Sequence, residues 1–279
     1  MTTNYIELAN EIHLDVRSKK LRLMVLHALE GGGRGHLGPA ASLIEILRVL
    51  YDSILVHDPS DPFLQKRDRF ILSKGHGCLG LYAVLADHGY FPVSYLEEFC
   101  EFDSKLGGHP ERATLPGIEF STGALGHGLS VGIGMAIASR LRKEKWRTFV
   151  LVGDGELNEG SIWEGAMHAS QHQLGSLTVI VDFNRMQASG DINSVITLAP
   201  IASKWDAFGF EVTEINGHDV VQLEQVLGLS TDTYGKPRVV LAYTVKGKGF
   251  TSAENTTTWH HKAKITRDEI LNLRRELMT

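Results

Sequence analysis

Apolar residues along this chain fall either at helical spacing or in short unbroken runs, and the alternation between the two organises the whole sequence. Leu14, Leu21, Val25 and Leu29 recur near helical spacing and predict a helix over residues 5–30 that stops at Gly31-Gly32-Gly33. A second helix is expected from about Ala41 to Leu55. Arg69 to Leu72 then reads as a short strand running into Ser73-Lys74-Gly75-His76-Gly77, with the helical pattern resuming through Tyr82, Val84 and Leu85. Strand, glycine loop and helix recur from Val150 to Gly175 and around Phe210 to Leu227, ahead of the apolar strand Val239 to Tyr243 and a helical tail from Arg267 to Leu277. Such alternation predicts an α/β fold, a mostly parallel sheet with helices on both faces. No linker, low-complexity tract or internal repeat interrupts it, so residues 1–279 are expected to form a single domain. Residues 102–125 form a long Gly- and Pro-bearing stretch without periodicity, of a kind that is often functional.

Composition narrows the function classes. A chain of 279 residues buries roughly 75% of its unfolded surface, so core-building capacity is ample. The net charge is -5 and no long run of like charge occurs, which argues against a nucleic-acid groove or a polybasic membrane patch. An anionic ligand would have to be held by local donors. Cys78 and Cys100 are the only cysteines, too few for a disulfide framework or a structural zinc site, and read as free thiols in a reducing compartment. Met1 to Glu7 lacks a basic and apolar signal, and no apolar run approaches the roughly 20 residues of a membrane span, so a soluble, cytoplasmic protein is expected.

The sharpest chemistry sits at the ends of two strands. Gly153-Asp154-Gly155 directly follows the apolar run Thr148 to Val152, and Asn184 closes a second run, Leu177 to Asp182. A strand, tight turn, helix and second strand form a right-handed crossover, so both runs finish on the same edge of the sheet and Asp154 and Asn184 can face one ion. Magnesium takes oxygen ligands and shares them with phosphate and water, so these two side chains and a backbone carbonyl, which Met186 is placed to supply, are sufficient. Gly153 and Gly155 permit close approach of a phosphate, and a helix starting near Asn158 offers free amides. A bare Gly-Asp-Gly is also an ordinary turn; the strand context and Asn184 raise it above that.

Other motifs are weighed against plainer roles. Gly33-Arg34-Gly35-His36-Leu37-Gly38 matches the dinucleotide-binding glycine pattern but follows a helix where that pattern needs a strand, so its glycines are read as loop residues exposing His36. His36, His76, His109 and His260 all lie in glycine-rich or irregular loops, as imidazoles must if they are to donate to phosphate or hydroxyl oxygens and shuttle protons near neutral pH. No histidine pair has a metal-ligand spacing, and His260-His261 are adjacent, which argues against zinc. Thr122-Gly123-Ala124-Leu125-Gly126-His127-Gly128 opens a small-residue helix through Gly132, Gly134 and Ala136, suited to close approach of a ligand or to simple packing on a sheet. Lys246-Gly247-Lys248-Gly249 follows a strand at the edge where α/β sheets bind anions, or is solvated surface. Glu159 and Glu164 stand roughly 140° apart around a helix and cannot both meet one small substrate; a surface role is the default, with Glu164 paired to His168 at i+4.

Taken together, Gly153-Asp154-Gly155 with Asn184, Leu72-Ser73-Lys74-Gly75-His76, Gly35-His36, Gly108-His109-Pro110, Thr122-Gly123-Ala124-Leu125-Gly126 and Trp259-His260 closely resemble the amino-terminal, diphosphate-binding half of transketolase, in unbroken order from about residue 10 to 265. The resemblance implies the thiamine diphosphate-binding fold and that cofactor, with Asp154, Asn184 and the Met186 carbonyl holding Mg2+ (or Ca2+ or Mn2+). His76, Gly123, Ala124, Leu125, Gly155, Glu156, Asn184, Lys246 and His260 would then line the cofactor, and His36, His109 and His260 would contact sugar hydroxyls and move protons. Glu159 and Glu164 match acidic residues that in the family lie at the subunit interface and couple two cofactor sites, which displaces the surface default. His127, where the family more often has glutamine, and Leu37-Gly38-Pro39 depart from the pattern and put donor specificity in question. The resemblance stops at the first half of a transketolase. The second half supplies the aminopyrimidine grip and the activating glutamate, so the expectation is the first subunit of a split enzyme, joined to a carboxyl-half subunit in an α2β2 heterotetramer. The alternatives are the alpha subunit of a 2-oxo acid dehydrogenase, a deoxyxylulose-phosphate synthase, or a non-catalytic nucleotide-binding subunit.

Overall fold

The computed structural model describes residues 4–278; Met1 to Thr3, which open the segment searched for a targeting signal, and Thr279 lie outside them. Five parallel strands, β1 (Arg69–Leu72), β2 (Thr148–Gly153), β3 (Leu177–Phe183), β4 (Glu211–Asn216) and β5 (Arg238–Tyr243), pair in the order β1, β2, β3, β5, β4. They are covered by α1 (Tyr5–Glu11), α2 (Val16–Gly32), α3 (Leu37–Ala41), α4 (Ile44–Val49), α5 (Cys78–Asp87), α6 (His127–Leu141), α7 (Gly160–Gln171), α8 (Ile192–Val195), α9 (Ile201–Ala207), α10 (Val220–Leu227) and α11 (Arg267–Met278). Successive strand residues point to opposite faces, so each strand divides its apolar residues between two cores. Phe70, Leu72, Phe149, Leu151, Ile180, Val240 and Ala242 join α2, α4, α5, α10 and α11 on one face. Ile71, Val150, Val152, Val179, Val181, Val239 and Leu241 join α6, α7 and α9 on the other. Crossover handedness explains this partition. The chain advances from β2 to β3 through α7, then steps back from β4 to β5 through α10, and a right-handed connection run in the reverse direction lands on the opposite face.

The helical stretch expected over 5–30 is two helices. Asp15 has extended backbone and caps α2, its Oδ1 accepting from the Ser18 amide at 2.8 Å, while also taking the Arg48 guanidinium. A carboxylate that satisfies orphan amides starts a new helix even where the apolar period runs through. The helix expected over 41–55 is likewise divided: after α3, Ser42 turns its hydroxyl to Asp182 at 2.8 Å, and α4 ends in a π turn over Leu50–Ile54. Residues 102–125 contain neither helix nor strand. No helix among the described residues is long and apolar enough to cross a membrane.

On α6 the small residues serve close packing on the sheet. A Cβ on Gly132 would come within 2.3 Å of Val150 Cγ2, whereas one on Gly134 would meet open space. Gly132→Ala is expected to lower stability by about 1–3 kcal/mol, and Gly134→Ala to leave it unchanged or raise it by about 0.5–1 kcal/mol, in urea unfolding. Equal effects at the two positions would contradict this packing.

Candidate functional site

The loops that leave β1, β2, β3 and β5, neighbours in the sheet, meet at its carboxyl edge around a cavity of about 230 Å3. Asp154, Gly155, Glu156, Asn184, Met186, His76, Gly123, Leu125, Lys246 and His260 line it, with Pro39, Lys74, Gly153, Gln187 and Ala188. Ala124 is exposed and does not line it. Glu159 and Glu164 are exposed and stand outside it. Among the described residues no hydrogen bond or ion pair joins Glu164 to His168, correcting the i+4 expectation; the His168 ring instead lies 4.4 Å from that of His172, which caps the end of α7.

Three carboxylates lie buried here, Asp154, Glu156 and Asp182. Asp182, the penultimate residue of β3, is fully enclosed and accepts from Lys74 Nζ, Ser42 Oγ, Thr244 Oγ1 and, at 2.9 Å, Asn184 Nδ2. Asp154 accepts from the amides of Gly155, at 2.7 Å, and Arg185, but no ion pair among the described residues reaches it. Burial and the neighbouring Asp182 push Asp154 up to about 7, while Asp182, although buried, is held down by the Lys74 ammonium. Asn184 is oriented by the same carboxylate. Its Nδ2 donates to Asp182, which leaves Oδ1 as the outward group, accepting from Met186 N at 3.0 Å. A Cβ on Gly155 would meet Gln187 Cγ at 2.8 Å, so a larger residue there would displace the Gln187 side chain.

Lys246 reaches in from the loop after β5. Its Nζ donates to the carbonyls of Met186 and Gln187, each at 3.1 Å, and to His260 Nδ1 at 2.8 Å. An ammonium has only donors, so His260 Nδ1 accepts and the ring proton sits on Nε2. Burial, with Lys74 nearby, brings the Lys246 ammonium down to about 8.

Around this ammonium the loop histidines converge, a result their sequence spacing does not contain. The His36 ring lies 5.9 Å from His76, 6.1 Å from His109 and 5.8 Å from His260, and His76 lies 5.4 Å from His260. His36 and His109 stand beside the cavity, not on its wall. Burial and neighbouring positive groups bring His36 down to about 4 and His260 to about 3; burial also lowers His76 and His109. Burial thus favours the neutral form of these imidazoles, in which a ring carries one donor and one acceptor.

Sequence reasoning named Lys74 only within a motif and passed over Asp182 and His261. His261 is exposed and its ring is 4.6 Å from that of His36, because an antiparallel bridge between Gly35 and Lys262 sets the two segments side by side. The available signal for Asp182 was a carboxylate inside an apolar run. Glu156 lines the cavity, yet its oxygens are taken by Ser73 Oγ, the Gly126 amide at 2.8 Å and the Gly153 amide at 3.0 Å, so it ties three loops together. His127 is exposed beside its own Leu125 carbonyl.

Residues 15–278 match the family model of the transketolase thiamine diphosphate binding domain. The chain is 43% identical over 253 residues to an apulose-4-phosphate transketolase subunit of Actinobacillus succinogenes, covering 91% of each. It is 36% identical over 258 residues to the 6-deoxy-6-sulfo-D-fructose transketolase subunit SqwG of Clostridium sp. strain MSTE9, covering 92% of this chain and 94% of that one. It superposes on the transketolase of Campylobacter jejuni with a TM-score of 0.86 at 28% identity, covering 100% of this chain and 43% of that one, so it spans less than half of that enzyme. An enzyme subunit of transketolase type, it belongs to the transketolase family and carries that family's thiamine diphosphate binding domain.

Proposed function

We propose that this chain is the diphosphate-holding subunit of a split transketolase, moving a two-carbon ketol unit from a ketose to an aldose once a carboxyl-half subunit is present. The observation that carries the reading is the gathering of Asp154, Asn184 Oδ1 and the Met186 carbonyl with Lys246 and neutral imidazoles on one cavity. The donor set fits a magnesium-bound diphosphate: a buried carboxylate without a cationic partner, an outward amide oxygen and a carbonyl that already attracts an ammonium. Gln187 Nε2, buried on the same wall without a partner among the described residues, is a further donor for an anion. Thiamine diphosphate, when bound, supplies the carbon nucleophile. His260, whose Nε2–H is fixed by Lys246, and His36 and His109 beside it would hold sugar hydroxyls and carry protons to and from them.

The aminopyrimidine end would be completed by the second subunit, and the relatives matching nearly end to end are themselves named as subunits. Glu159 and Glu164, exposed around the start of α7, are available to a twofold contact in an α2β2 assembly. The free thiols Cys78 and Cys100 support a cytoplasmic setting. The whole of residues 1–279 would then be one cofactor-binding domain. The relatives act, by their names, on a phosphorylated and a sulfonated sugar, which supports an anionic sugar substrate.

Co-expression with a carboxyl-half subunit, followed by an assay of a ketose phosphate panel, tests the reading. Two-carbon transfer is expected only with both subunits and magnesium; preferential turnover of 2-oxo acids, or tight binding of ATP without thiamine diphosphate, would replace it. Within the site, Asp154→Asn is expected to abolish magnesium-dependent cofactor binding while leaving the unliganded chain at least as stable at pH 8. The sign follows from the shift: a carboxyl raised to about 7 carries a stability penalty that builds as pH rises from the ordinary carboxylate range to about 7 and is complete at pH 8, and the amide removes it. His109→Ala is expected to lower turnover by about 100-fold or more at near-unchanged cofactor affinity. Calorimetric titration and thermal unfolding separate the two variants; a reversal of their effects would contradict the placement of both residues.

A further inference from the structure

Beneath the Lys246 loop lies a closed group of charges that the proposed cofactor chemistry does not use. Glu45, on α4, is 1% exposed, and its two oxygens collect Arg22 Nη1 at 2.6 Å, Arg22 Nη2 at 2.9 Å and His218 Nδ1 at 2.7 Å. Arg22 and His218 are as deeply buried. Arg22 also donates to the carbonyls of Ser18, at 3.3 Å, and Ala41, at 2.9 Å, and each partner makes one further contact with the same short segment. His218 Nε2 accepts the Val245 amide at 2.9 Å, and Arg22 Nε donates to the Lys248 carbonyl at 2.7 Å. The two contacts bracket Lys246, whose own amide and carbonyl neighbours are also fixed: Gly247 N donates to the Gly38 carbonyl at 3.1 Å, and Asn255 N to the Lys246 carbonyl at 2.9 Å.

Buried ion networks are weak sources of net stability, because desolvation offsets most of the attraction. Here the geometry does something an apolar cluster could not. The Glu45 carboxyl, although burial opposes its charge, is held well below the usual carboxylate range by Arg22 and His218, and so stays an acceptor. A permanent acceptor fixes the His218 proton on Nδ1 and leaves Nε2 free to take a backbone amide that no strand partner reaches. We propose that Glu45 and His218 are positioning residues of the cofactor site: through His218 at Val245 and Arg22 at Lys248 they clamp the backbone on both sides of Lys246 and set where its ammonium stands. This rests on the cavity being the diphosphate site. Lys246 Nζ is the group at which Met186, Gln187 and His260 meet, so a loosened loop would release all three contacts together. Supporting contacts of this kind typically change affinity by about 10–100-fold when lost.

The test compares His218→Leu, which can neither donate nor accept, with His218→Gln, whose amide can donate to Glu45 and accept from Val245 at once. On the full chain with magnesium, His218→Leu is expected to weaken thiamine diphosphate binding by about 10-fold or more, and His218→Gln to stay near wild type. Hydrogen exchange without cofactor is expected to quicken at the amides of residues 245–249 in His218→Leu alone. Wild-type affinity and wild-type exchange in a folded His218→Leu chain would overturn the clamp. Should that variant not fold, Glu45→Gln decides by the same two readouts: faster exchange over 245–249 with weakened binding upholds it, and no change in either overturns it. A wild-type chain that fails to bind thiamine diphosphate both by itself and with a carboxyl-half subunit would defeat the functional reading alone, since loop exchange still judges the clamp.

Discussion

The buried carboxylates of Asp154 and Asp182 and the buried Lys74 ammonium, at neighbouring strand ends, set the terms for the rest of the site. Lys74 pairs with Asp182, which also gathers Ser42, Thr244 and Asn184 and so ties the β1 loop, α3, β3 and the β5 loop to one point. Asp154, one strand away, is left with backbone amides only. An enclosed carboxylate without a cation is unfavourable. The same pairing that organises the loops therefore creates the place where a positive charge is wanted.

From that inequality the chemistry follows outward. Asp182 turns the Asn184 amide so that its oxygen faces away from the hub, and Lys246 fixes the His260 tautomer from the other side of the cavity. Low-pKa imidazoles beyond it are neutral hydrogen-bonding groups until a ligand changes the local charge.

The architecture was largely legible because a parallel strand buried on both faces reads as a short unbroken apolar run: Ile71, Val150 and Val179 fall on one face and Leu72, Leu151 and Ile180 on the other. The strand-end placement of Asp154 and Asn184 was legible from the crossover rule. What was not legible lay in contacts between segments distant in sequence. Nothing in periodicity distinguishes Asp182 as a hub from an ordinary strand end, since its partners Ser42, Lys74 and Thr244 come from three other segments. The break at Asp15 was hidden because the apolar period continues through it while the cap acts on amides. His261, considered only as a failed metal pair with His260, joins the cluster through the backbone bridge at Gly35.

Diffraction from crystals grown with thiamine diphosphate and manganese addresses the central claim most directly. The account requires one anomalous peak directly coordinated by side-chain oxygens of Asp154 and Asn184 and by the Met186 carbonyl, with Lys246 moved off that carbonyl onto the ligand. A bound cofactor whose metal lies among His36, His76 and His260 instead, or one bound with no metal beside Asp154, would contradict it.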